Sequence, residues 1–310
     1  MVQLDKLRVD GISVRMGRED ILRNVTFSLK NGETKVILGA SGSGKTTILN
    51  SIAGIIHPGS GSIIKDGIDI TDLEIDRRNI GFVFQDLGLF YSMNVAENIA
   101  YGLRIRTNNL GEINRRVAEI CRLMSIENLL LKFPAQLSGG EKQLVSLART
   151  LVIEPDLILM DEPLSSLDSF LRNSMRWYIK DIQRRFNLSI VYVTHDLADA
   201  EILADSIAIL SDGRIVEDGS KEVILTRPRS LEGARILGYN IFSMGGKTYA
   251  IHPTRIKAGG PTKVKILYSE SGIRRNYLVE TEFGRLSVTG EEPLNEGDGI
   301  SLENAFPLVE

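Results

Sequence analysis

One cysteine and three histidines in 310 residues leave little material for covalent staples or for sulfur and imidazole metal sites. Cys121 alone cannot close an intramolecular disulfide, and His57, His195 and His252 are too scattered for zinc-ligand spacing. Charge of one sign is also missing. A net charge of −3 gives no reason to expect a nucleic-acid partner. No uncharged apolar run approaches the length of a membrane span. Met1–Asp10 lacks the charged-then-apolar pattern of a signal peptide. The expectation is a cytoplasmic chain that meets a membrane only through a partner. What remains, 43% hydrophobic and 25% charged residues, is the composition of an ordinary globular protein. Its length suggests about two domains.

The stretch Leu38-Gly39-Ala40-Ser41-Gly42-Ser43-Gly44-Lys45-Thr46-Thr47 fits G-x-x-x-x-G-K-[ST]. Val36-Ile37-Leu38 before it has the apolar, β-branched character of a buried strand. Ile48, Leu49, Ile52 and Ala53 after it fall at helical spacing. A strand, a glycine loop and a helix in that order make a phosphate cradle. Glycines let backbone N–H groups turn inward on a triphosphate, and the helix points its positive end at the same place. Lys45 is placed to reach the β- and γ-phosphates, and Thr46 to offer its hydroxyl to Mg²⁺.

Before this loop, residues 4–30 alternate in the β manner, with Leu7, Val9, Ile12, Val14, Val25, Phe27 and Leu29 as the apolar set. A turn-rich hairpin follows at 58–67, and Ile80–Phe84 reads as a short buried strand ending at Gln85. From Asn94 to Ile153 the period is helical. Strands are expected at Leu157–Met160 and Ile190–Thr194, both almost wholly apolar, as suits parallel strands covered on two faces. A terminal strand pair is expected at 206–210 and 214–216. After about residue 235 the helical period stops, and β-rich segments at 263–268, 277–283, 285–288 and 300–303 predict a small, barrel-like β domain.

Two further stretches complete the chemistry. Leu157–Asp161 is a strand ending in a carboxylate that can hold Mg²⁺ through its water shell, and Glu162 beside it can polarise an attacking water. Leu137-Ser138-Gly139-Gly140-Glu141-Lys142-Gln143 is followed by Leu144, Leu147, Ala148, Leu151 and Val152 at helical spacing, so a helix is expected to begin just after the glycines. Its N-terminus, with a serine hydroxyl and bare amides, is a second anion site.

These stretches together resemble the ATP-binding cassette family, in which LSGG-type sequences and both nucleotide motifs co-occur. Gln85 in Gly81–Asp86 matches that family's glutamine loop, Ser165-Ser166-Leu167-Asp168 its aspartate loop, and His195 its switch histidine. The resemblance covers residues 4–235. It implies an α/β fold: a RecA-like P-loop ATPase core with an antiparallel β subdomain and a helical subdomain at about 88–155. Residues 240–310 then form a regulatory all-β domain of OB or TOBE type. It also implies an ATPase in which two cassettes dimerise head to tail. ATP and Mg²⁺ would be held by Gly39–Thr47 and Gln85 of one copy. Mg²⁺ would be coordinated by Thr46, Gln85 and Asp161. The other copy would close the site with Ser138, Gly139, Gly140, Glu141 and Asp168. Glu162 would be the general base, and His195 would position the γ-phosphate and water.

Departures from the family pattern matter. Where relatives carry an adenine-stacking aromatic, this chain has Met16. Methionine offers only polarisable apolar contact, so ATP and GTP would be accepted alike, unless Met16 merely packs. Leu144 stands where importers commonly have arginine, and Glu141-Lys142 also departs from their wording. Leu89–Leu103 resembles the importer segment that receives a permease coupling helix. Tyr249–Ile256 resembles the importer β appendage. The implied partners are a second cassette, a transmembrane permease at the cytoplasmic face of the membrane and, indirectly, an external solute-binding protein. The implied solute is an oxyanion such as molybdate, tungstate or sulfate, or a sugar, polyamine or iron. A soluble cassette ATPase acting on nucleic acid or the ribosome is the alternative. The β domain argues against it, since residues 241–310 carry eight Lys and Arg against nine Asp and Glu.

Overall fold

The computed structural model describes residues 5–270 and 274–309. Leu4, where the expected alternation begins, and Glu310, the end of the expected β domain, lie outside them. The chain divides into two compact units at Ile215/Val216.

In the first unit, β1 (Leu7–Met16) and β2 (Glu19–Leu29) form an antiparallel hairpin, and β3 (Thr34–Leu38) leads into α1 (Lys45–Ala53). There follow β4 (Ser60–Lys65), β5 (Ile68–Asp69), β6 (Ile80–Val83), α2 (Val95–Arg106), α3 (Leu110–Leu123) and α4 (Gly139–Leu151). The unit continues with β7 (Leu157–Asp161), α5 (Ser169–Phe186), β8 (Ile190–Thr194), α6 (Leu197–Leu203) and β9 (Ser206–Ser211). The chain passes into the second unit within β10 (Arg214–Ser220).

Two sheets share the apolar core. The antiparallel one has the order β2-β1-β4-β5, and β9-β3-β8-β7-β6 run side by side as parallel strands. The antiparallel sheet's irregularity is written in the spacing of its apolar residues. Leu7 and Val9 are two apart, Ile12 follows after three, and Val14 after two, so the inward face slips by one residue. A register shift lies between Val9 and Ile12, where Gly11 takes φ 63 and Gly61 leaves no room for a Cβ against it. In the parallel sheet, every residue of β3, β7 and β8 is buried. Burial of each large apolar side chain contributes about 1.5–3 kcal/mol, which offsets a backbone ordering cost of about 1–2 kcal/mol per residue. These strands therefore need no alternation.

Between β6 and β7 the helices pack by their apolar faces. Val95, Ile99 and Leu103 of α2, and Ile113, Val117 and Ile120 of α3, with Met124 just beyond it, are buried as their spacing predicts. The second unit continues with α7 (Lys221–Thr226) and α8 (Leu231–Ile236), then β11 (Asn240–Met244), β12 (Lys247–Ile251), β13 (Lys257–Lys263), β14 (Lys265–Glu270), β15 (Arg275–Thr281), β16 (Gly284–Gly290), β17 (Gly299–Ser301) and β18 (Phe306–Pro307). They pair as three antiparallel sheets, β11-β12-β18, β13-β17 and β14-β15-β16. One core joins them, with Phe242, Ile251, Val279, Leu286 and Ile300 at its centre. Three expected strands shift, the one expected at 300–303 being β17 at Gly299–Ser301. Phe283 falls in the turn between β15 and β16, and the segment expected at 263–268 is broken at Val264 into β13 and β14. Among the described residues no helix is long and apolar enough to cross a membrane.

Candidate nucleotide site

Three neighbouring parallel strands, β3, β8 and β7, end at one edge, and the residues expected to form the site follow their carboxyl ends. The loop after β3 is held down at its first residue. Gly39 N–H donates to the Thr194 carbonyl at the end of β8 (3.3 Å). A Cβ on Gly39 would meet the Leu210 carbonyl oxygen at 2.5 Å and Ser43 Oγ at 2.8 Å, so the loop lies hard against β9. Gly42 (φ 80) and Gly44 (φ 105) supply left-handed turns, and Gly44 is the N-cap of α1. No side chain caps that helix, so its first amides stay directed into the loop. Ser43 Oγ is buried without a hydrogen-bond partner. An orphaned donor in a ring of inward amides is what a phosphate cradle presents.

Lys45 is 5% exposed, and its ammonium donates to the Gly39 and Ala40 carbonyls (3.1 and 2.9 Å). Glu162 Oε1 lies 3.3 Å from the same Nζ. Across the loop, Thr46 Oγ1 donates to Asp161 Oδ1 (3.1 Å). Burial raises the Asp161 carboxyl above its ordinary value. The Thr46 hydroxyl and Lys45 oppose this, and the adjoining Glu162 adds to it. A buried carboxylate beside a threonine hydroxyl is the hard-oxygen set that suits Mg²⁺, so these residues fit the ion. Gln85, exposed just after β6, lines the same cleft of about 690 Å³ with Asp161, Phe84, Asp86, Ser165 and Ser166.

Glu162 takes φ 40, a left-handed conformation that costs a non-glycine residue about 1–3 kcal/mol. Its N–H donates to the Val193 carbonyl (3.1 Å), and its own carbonyl accepts from Ser165 N–H (3.1 Å) and Ser165 Oγ (2.8 Å). Thus held, its carboxylate reaches His195, with Nδ1 at 2.8 Å from Oε2. Lys45, Thr46, Asp161, Glu162 and His195, spread over 151 positions, become one cluster.

The remaining predicted residues sit elsewhere. Ser138 is the N-cap of α4, and Gly139 and Gly140 are the helix's first two residues rather than its prelude. Ser138 Oγ accepts from Glu141 N–H (3.3 Å), and Glu141 Oε2 accepts from Ser138 N–H (2.7 Å). The glycine amides are left as the helix's leading donors. Asp168 is exposed, and its Oδ1 accepts from Phe170 and Leu171 N–H (both 3.0 Å), capping α5. A Cβ on Gly139 would come within 2.9 Å of Leu167, so these two motifs adjoin. Met16 closes β1 opposite Glu19 and is 45% exposed.

Sequence reasoning missed the supports. Arg149 reaches back from α4 to the Leu87 and Gly88 carbonyls (2.8 and 2.5 Å). Arg172 and Arg176 on α5 hold Asp196 and Asp199 around His195. The i, i+4 spacing of the two arginines was the available signal.

A family model described as ABC transporter matches residues 22–165. The chain is 39% identical over 231 residues to the sulfate/thiosulfate import ATP-binding protein CysA of Mesostigma viride, spanning 74% of this chain and 66% of that protein. It is 38% identical over 298 residues to the molybdate/tungstate import ATP-binding protein WtpC of Methanocaldococcus jannaschii, spanning 96% of this chain and 97% of that one. The solved structure of cbiO1 from Clostridium perfringens, part of the ABC transporter complex cbiONQ, superposes with a TM-score of 0.67 at 28% identity, over 74% of this chain and 93% of that chain. With a phosphate cradle, paired carboxylates and a capped LSGG helix on one scaffold, and likeness to a relative over nearly its whole length, the chain belongs to the ABC transporter family, among the import ATP-binding proteins.

Proposed function

We propose that this chain is the ATP-hydrolysing subunit of an importer, working as a head-to-tail pair with a membrane permease at the cytoplasmic face. The observation that carries the reading is the Lys45–Glu162–His195 cluster. A strained carboxylate at the mouth of the phosphate loop has an ammonium 3.3 Å from one oxygen and an imidazole nitrogen 2.8 Å from the other. On nucleotide binding, Lys45 exchanges its carbonyl partners for β- and γ-phosphate oxygens. Glu162 accepts a proton from the attacking water as its oxygen bonds the γ-phosphorus, and the bond to the leaving ADP oxygen breaks. His195 holds Glu162 and the water in line. Thr46, Asp161 and Gln85 would hold Mg²⁺, which would supply charge neutralisation on the phosphates.

A second copy closes the site with Ser138, Gly139, Gly140 and Glu141, whose helix N-terminus carries partial positive charge, and with Asp168. For the permease, the segment after Gln85 offers exposed rings. Phe90 and Tyr101 pack at 4.5 Å between centroids, with Arg149 over Phe90 and Tyr91 65% exposed. The solute in this reading is an oxyanion of the molybdate, tungstate or sulfate class. What supports that choice is the near-full-length likeness to a molybdate/tungstate import protein. Residues 240–310 form a regulatory β domain outside the chemistry.

The test is Glu162→Gln. It should bind ATP with unchanged affinity and lose turnover by about 100- to 10,000-fold. It should also accumulate as an ATP-dependent dimer in light scattering. Near-normal phosphate release by this variant would refute the assignment.

A further inference from the structure

His195 is exposed, and the side-chain partner it has in the structure is Glu162. Glu162 holds one ring nitrogen, and the backbone on either side places the rest of the residue. Both flanking residues are clamped. Thr194 Oγ1 donates to Asp199 Oδ2 (2.7 Å) and accepts from Asp196 N–H (2.9 Å). Asp196 Oδ1 accepts from Ala198 N–H (2.9 Å), starting α6. Tyr192 Oη, one turn of strand below, also donates to Asp199 Oδ2 (3.2 Å).

One guanidinium joins the two carboxylates. Arg176 Nε donates to Asp199 Oδ1 (2.6 Å), Nη2 to Asp196 Oδ2 (2.5 Å), and Nη1 to Asn173 Oδ1 (2.8 Å). One turn earlier on the same face of α5, Arg172 Nη1 shares Asp196 Oδ2 (3.2 Å), and its Nη2 donates to the Leu167 carbonyl (2.8 Å). Leu167 adjoins Asp168, the cap of this same helix. Arg176 and Asp199 are each 5% exposed at the side chain. A buried ion pair of this kind is often no more stabilising than an apolar pair of equal volume. What a planar fork bonded through all three of its nitrogens does supply is fixed geometry.

We propose that Arg176 is a positioning residue for ATP hydrolysis, which through Asp196 and Asp199 sets the peptide that carries His195, while Arg172 ties the same Asp196 to the loop ending in Asp168. The histidine that faces the base in this copy and the loop that reaches the other copy then move as one body with α5. The proposal rests on the active-site reading above.

The test is a double-mutant cycle. Arg176→Lys keeps the positive charge, so no buried carboxylate is left uncompensated, but an ammonium cannot reproduce the fork. In the full chain it should lower kcat by about tenfold or more, since a misplacement of about 1 Å can cost 100-fold. The KM for ATP should stay within about twofold, because none of these groups touches Lys45 or Thr46. In a His195→Ala background the same change should alter the single-turnover rate by less than about twofold, since its effect runs through the histidine. A merely structural arginine would cost the same factor in both backgrounds. Equal losses in the two backgrounds, or an unchanged kcat in Arg176→Lys, would overturn the proposal. Should Arg176→Lys show no cooperative thermal transition, Thr194→Val is read in the same cycle, because it deletes the bridging hydroxyl at nearly constant shape. Intact turnover in His195→Ala alone would overturn the active-site reading and the proposal with it. Additive losses beside a slow His195→Ala enzyme would overturn the proposal alone.

Discussion

Asp161 and Glu162 are adjacent carboxylates set in opposite surroundings. Asp161 is the last residue of a buried strand and accepts from Thr46, and burial holds its carboxyl above the ordinary range. Glu162 has turned out of the strand at φ 40 toward Lys45 and His195. The raised value at Asp161 has a consequence for stability. The folded state favours the protonated form, so ionised Asp161 opposes folding fully above its raised value, and this cost disappears as pH falls below the ordinary carboxylate value. Asp161→Asn should therefore raise the thermal midpoint of the nucleotide-free protein at pH 8, with the gap closing in acid. Because the amide is a poor ligand for a hard cation, Mg²⁺-dependent turnover should fall by about 100-fold or more. Thermal melts across pH and a phosphate-release assay read the two effects separately.

At the scale of elements, α4 joins two of the expected site stretches through its N-terminus and one face. Its N-terminus carries Ser138, Gly139 and Gly140. Along its buried side, Ser146 Oγ donates to the Leu87 carbonyl (3.2 Å), and Arg149 grips the Leu87 and Gly88 carbonyls. The loop that follows Gln85 is thereby tied to the helix that starts at the LSGG stretch. The capping box keeps that end folded. The Ser138 N–H holds the Glu141 carboxyl below the usual carboxylate range, with further help from Lys132. This contribution is present above the ordinary carboxylate value and is lost as pH falls through the lowered folded one. Glu141→Ala should cost about 1 kcal/mol of stability in urea unfolding at pH 7. The difference from the unaltered protein should narrow toward pH 3.

At the scale of the whole molecule, every residue of the cluster belongs to the first unit, while the second unit brings its own core of Phe242, Ile251, Val279 and Ile300. Within that core a buried asparagine does the work of a strand edge. Asn240 Nδ2 donates to the Ser287 carbonyl, and Asn240 Oδ1 accepts from Ser287 N–H, both at 2.7 Å. For the proposed solute the expected outcome is specific. Cells carrying Lys45→Ala in place of this protein should lose uptake of radiolabelled molybdate or tungstate while keeping sugar and polyamine uptake. Unchanged oxyanion uptake alongside loss of another solute would reassign the importer.

Local signals were sufficient wherever chain neighbours decide the outcome. Antiparallel strands follow from the alternation of Leu7 and Val9 and of Val25, Phe27 and Leu29, whereas the register shift between Val9 and Ile12 shows only where β1 pairs with β2. Gly42, Gly44 and Lys45 are a phosphate loop from their order alone, since left-handed turns ahead of a helix require them in sequence. The motif Asp161-Glu162 could be marked as acidic, but not divided into a buried oxygen donor and a strained carboxylate. That division depends on Thr46, Val193 and His195, brought in by neighbouring strands. The helix at Ser138 begins on its glycines rather than after them, because glycine's cost in a helix interior does not apply where the amides have no helical partner. Least legible were Arg172, Arg176, Asp196 and Asp199, which in sequence are surface-type charges on two helices. Only tertiary packing closes them around one histidine, because a guanidinium fork takes its meaning from carboxylates that lie 20 and 23 positions away.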